Sequence, residues 1–194
     1  MGRKVDRRRK KHVPVANIEA RKTGLVITVT RRDLLISQLD SAIRMWFFKQ
    51  DPVPIHLLLM PAYHVLCDLG RRNDKGPDIG KHVKDVDGGY DWMRHASSDP
   101  HDFIDFPPRT NEFLMWSCTI SFEKLFGGRT AYMMAFQAFF VLWLVPEDPK
   151  FREGASASMP KGMTVEQASA LGRLEFFDKL TEMFAADILR RSKS

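Results

Sequence analysis

Between Ala131 and Val145 the chain runs 15 residues without a charge, interrupted only by the amide of Gln137 and closed by Pro146. A segment that is apolar on every side has no face to turn to water, so other elements must surround it. It is shorter than the ~20 residues that cross a bilayer core. Widening it to Thr130–Pro146 adds only two uncharged residues. The run predicts a buried helix at the centre of an all-α bundle, with no membrane span.

The surrounding helices can be read from spacing. Thr30 and Asp33 make a capping-box start, and Leu35, Leu39, Ala42, Ile43 and Trp46 then mark one face of a helix ending near Gln50. Asp51-Pro52 opens a second helix, with Asp51 as cap and Pro52 in the first turn. Its stripe is Ile55, Leu59, Ala62, Leu66 and Leu69, with Gly70 as its expected stop. The opposite stripe is His56, Met60, Tyr63 and Cys67, and Pro61 is expected to kink the helix. The tight Lys49–Pro52 link makes the pair an antiparallel hairpin. A third helix covers Thr110–Phe126, stopped by Gly127-Gly128, and the apolar helix covers Arg129–Val145. A fifth begins at the Thr164–Gln167 capping box and carries Leu171, Leu174, Phe177, Leu180, Phe184 and Ile188.

The expected fold is therefore a single-domain all-α bundle of about five helices. A short strand-like arm, Gly24–Thr30, precedes it, suited to pairing with a second copy. Residues 1–23 read as a basic, disordered tail and 24–194 as the bundle, with a polar excursion over 71–109 and a small-residue linker over 146–163.

The net charge of +6 belongs to the tail. Residues 1–12 hold seven Lys/Arg against one Asp, which leaves 23 basic and 23 acidic side chains in the remainder. The body is neutral, and any nucleic-acid contact is assigned to residues 3–11 as a weak, salt-sensitive one. No apolar run follows the basic start, so it does not read as a signal peptide. Two cysteines, Cys67 and Cys118, lie in apolar stripes without finger spacing and read as buried thiols of a reducing compartment, hence a cytoplasmic protein.

The chemistry-bearing residues gather in "YDWMRHASSDPHDFIDF", Tyr90–Phe106. Asp91 and His95 would share a helical face, but no HExxH or Glu-x-x-His pair accompanies them, so neither metal nor cofactor is expected. His56 and Tyr63, together with Arg94, His95 and Asp99, are the expected binding residues. No catalytic motif is identifiable.

Two stretches, "LDSAIRMWF…DPVPIHLLLMPAYHVLCDL" and "WMRHASSDPHDFIDF", resemble an uncharacterised bacterial all-helical family. That family's second helix opens D-P-V-S-x-H, and its "FFKHADRDP" signature precedes an N-E-[FL]-L helix, here Asn111-Glu112-Phe113-Leu114. Arg94 stands where the family tends to have Lys, and Ser97-Ser98 where it tends to have Asp-Arg. The resemblance spans residues 33–145 and singles out His56, Arg94, His95, Asp99 and Pro100, without implying an activity.

A second, more distant likeness is to HEPN ribonuclease bundles, which place an Arg and a His four to six residues apart at a helix start. Arg72-Asn73 imitates that beginning, but the next histidine is His82, and Arg94-His95 are adjacent. The leading expectation is a homodimeric protein that acts by binding. The rival is a HEPN-like RNA-binding protein or ribonuclease using His95, Arg94 and Arg72.

Overall fold

The computed structural model describes residues 28–72, 107, 109–144 and 154–192. The described part is all-α. Helix α1 is Arg31–Phe47, α2 Pro52–Arg72, α3 Thr110–Phe126 and α4 Ala131–Phe139, which continues as a π-helical segment Phe140–Leu144; α5 is Val165–Ser169 and α6 Arg173–Arg191. Among the described residues there is no strand. The expected arm lies mostly outside them, and residues 28–30 lead directly into α1.

Local chemistry sets the helix ends. Thr30 and Asp33 form the expected capping box, and the face Leu35, Leu39, Ala42, Ile43 and Trp46 is buried. α1 ends in a Schellman turn: Gln50 N–H reaches Met45 carbonyl at 3.0 Å and Lys49 N–H reaches Trp46 carbonyl at 3.1 Å. Lys49 takes the left-handed conformation, φ 52°, that this turn requires. α2 then folds back as the antiparallel hairpin. It runs on past Gly70 to Arg72, because a glycine permits a stop without imposing one. Gly127, φ 73°, ends α3.

The fifth expected helix is two. Its capping box forms at Thr164 and Gln167, but α5 closes after one turn, and the chain restarts at Gly172 as α6. The restart changes the phase: Phe176, Phe177, Leu180 and Phe184 are buried, whereas Leu174 and Ile188 face solvent. The expected linker is in part folded, with a helical turn over 154–157 and with Ala155, Pro160 and Met163 buried.

α4 lies against α1, α3 and α6, as a helix without a polar face must. Phe136 is fully enclosed, and Trp46 meets it edge-on at 5.3 Å. Among the described residues, the one helix long and apolar enough to cross a membrane is α2 rather than α4. It packs against both α1 and α3, and Ile55, Leu59, Met60, Ala62 and Leu66 are buried, whereas Val53 and Leu57 face solvent.

α2 and α3 run parallel. His56 near the start of α2 bonds Asn111 at the start of α3, and Cys67 further along α2 acts electrostatically on Cys118 further along α3. One end of the bundle therefore gathers the last turn of α1 and the first turns of α2, α3 and α6.

Candidate functional site

The sequence-predicted binding residues divide sharply. Arg94, His95 and Asp99 lie outside the described residues, as do Asp91 and Pro100. Arg72 ends α2 in solvent. It stands 16 residues from His56, about 24 Å at 1.5 Å per residue. His56 and Tyr63, two turns apart on α2, are both buried.

His56 is a structural group in its described contacts. Its Nδ1 lies 2.9 Å from Asn111 Oδ1, and Asn111 Nδ2 donates to the Pro52 carbonyl at 2.8 Å. That carbonyl belongs to the first turn of α2. Asn111 has its amide directed at one end of α2 and its oxygen at the histidine one turn along. Asn111 and His56 are both sealed from solvent. The Asp51–His56 helix opening and the Asn111-Glu112-Phe113-Leu114 helix start meet at this strut, while Trp92–Phe106 lies outside the described residues. The junction ties two parallel helix starts together and offers no open surface for a substrate.

A second buried link joins α3 to α4. Gln137, the lone amide of the apolar helix, donates to Thr119 Oγ1 at 3.0 Å, and Thr119 donates to the Trp116 carbonyl at 2.9 Å. At the start of α4, Thr130 donates to Asp40 at 2.6 Å and accepts from Met133 N–H at 3.2 Å. Burial pushes the Asp40 carboxyl up to about 6, against the opposing pull of the Thr130 hydroxyl and of Arg44.

Cys118 is sealed, and burial pushes its thiol far above the ordinary range, so it is no nucleophile. Cys67 is half-buried, not fully buried as its stripe suggests, and neither cysteine is in a disulfide. Among the described residues no group of three His, Cys, Asp or Glu converges as a metal site would require.

The residue that sequence reasoning missed is Arg173. Its guanidinium lies 3.7 Å from the centre of the Trp46 ring and donates to the Trp46 carbonyl at 2.6 Å. Burial lowers its pKa, and Glu112 of α3 raises it again. A signal was present: a cation in the first turn of a helix opposes the helix dipole and needs a partner elsewhere. Here the partner is the carbonyl end of α1.

Two shallow hollows, of about 430 and 290 Å³, flank Phe48 where the end of α1 meets α6. Neither involves α2. No family model, no curated protein and no solved structure matches this chain.

Proposed function

We propose that this chain is a cytoplasmic helical-bundle protein that works by binding, as a homodimer, with no chemistry of its own. The observation that supports this reading is the His56–Asn111–Pro52 strut. A histidine that moves protons must reach a substrate; this one is enclosed and held by an amide whose other end is already bonded. Two cysteines that form no disulfide agree with a reducing compartment. The paired motifs become the means of holding a shape, and the exposed surface becomes the place where the protein acts. Under this reading the tail, residues 3–11, adds a weak, salt-sensitive attraction to polyanions.

The test is direct. The full chain, incubated with total RNA at low salt, is expected to leave the RNA uncut. Cutting that disappears in His95→Ala would overturn the reading in favour of a ribonuclease. Sedimentation is expected to give a dimer, and a monomer at every concentration would remove the homodimer.

A further inference from the structure

The face around Phe48 combines three properties. The first is a rigid protruding ring. Phe48 is 51% exposed, yet it caps α1 with its N–H on the Arg44 carbonyl at 3.1 Å, and the Schellman turn of Lys49 and Gln50 fixes the chain on its far side. An aromatic side chain held this way loses little freedom when it is covered.

The second is a pair of receptors. The larger hollow is lined by Phe47, Lys49, Leu174 and Glu175, the smaller by Tyr132, Phe177, Asp178 and Glu182, and Phe48 is the ridge between them. Leu174 is 45% exposed and widens the apolar floor.

The third is segregated charge. Arg44 and Lys49 come from the α1 side of the ridge. Glu175, Asp178 and Glu182 come from the α6 side at i, i+3, i+7, and so share one helical face. Arg173, the remaining cation, is turned inward onto Trp46.

A surface with a knob beside a hole and a cationic edge beside an anionic one is complementary to itself. Rotated by two-fold symmetry, the knob meets the hole and each edge meets its opposite, as an isologous interface demands. We propose that two copies of this chain meet here, the Phe48 ring of each seated in the hollow beside Phe48 of the other, with Arg44 and Lys49 of one copy against Glu175, Asp178 and Glu182 of the other. This inference rests on the homodimer reading and names its surface.

The experiment is sedimentation of the full chain beside Phe48→Asp, with the helical circular-dichroism signal and the urea midpoint as folding controls. Phe48 is half in solvent, so the variant is expected to keep both controls while its dimer dissociation constant rises by about thirtyfold or more. Glu175→Lys is expected to weaken the dimer, and Glu175→Lys with Lys49→Glu to restore it by exchanging the signs. A wild-type dimer unaffected by Phe48→Asp overturns this surface and leaves the homodimer standing. A wild-type monomer at every concentration overturns both.

Discussion

Asn111 holds two groups at once, and that makes it the more sensitive half of the strut. Truncating it to Ala removes from a buried junction the one amide that bonds both the Pro52 carbonyl and the His56 ring. Leaving a buried polar group without its partner costs about 1–3 kcal/mol. Asn111→Ala is therefore expected to cost about 3 kcal/mol in urea unfolding, and Asn111→Leu with His56→Phe to recover part of it by removing the polar groups altogether. Asp40 makes the opposite prediction. Folded, it keeps its proton up to about pH 6, against the ordinary 3.8 of an aspartate. A raised folded pKa stabilises fully below the unfolded value, and that contribution is lost as pH rises through the folded one. At pH 7 Asp40 is thus a cost. Asp40→Asn keeps an acceptor for Thr130 and is expected to gain about 2 kcal/mol at pH 7. The gain should shrink toward zero by pH 4, which urea midpoints at the two pH values would show. Neither effect is legible in sequence. Asn111 and Asp40 lie 55 and 90 residues from their partners.

At the scale of the element, what could be read depended on how local the cause was. The capping boxes at Thr30 and Thr164, the stripe of α1 and the limits of α3 follow from neighbours within a turn or two, and the structure has them. The division of the last helix does not. Its buried face is chosen by what α6 packs on, chiefly α4, so Phe176 enters the core and Leu174 leaves it. Arg173 is the clasp of that arrangement. It joins the first turn of α6 to the last carbonyls of α1 and covers Trp46, with Phe47 and Phe139 at 5.6 and 5.5 Å. A half-buried cation over an aromatic face contributes about 1–2 kcal/mol, and Lys does not reproduce the planar fork. Arg173→Met is expected to cost about 2–3 kcal/mol in urea unfolding, and Arg173→Lys to restore less than half of that. Full stability in Arg173→Met would show that the α1–α6 contact stands on apolar packing alone.

At the scale of the molecule, the apolar run around Phe136 dictated the all-α class and the central position of α4, because nothing else can be done with a helix that has no polar side. The site was less legible for a physical reason. The eye is drawn to His, Asp and Arg in a polar stretch, yet the buried polar side chains His56, Asn111 and Thr119 serve to fasten the bundle. The exposed ring at Phe48 is a single apolar residue at a helix end, a pattern that sequence alone cannot separate from core. The parallel alignment of α2 and α3 carries one more consequence. The chain leaving Arg72 must come back by about 30 Å, the length of a 21-residue helix, before α3 can begin. The strut at Asn111 meets the first turn of α2 at Pro52 and His56, so the two helices are registered from their starts and not from the Arg72 end. Changing how far α2 runs at that distant end should leave the register untouched.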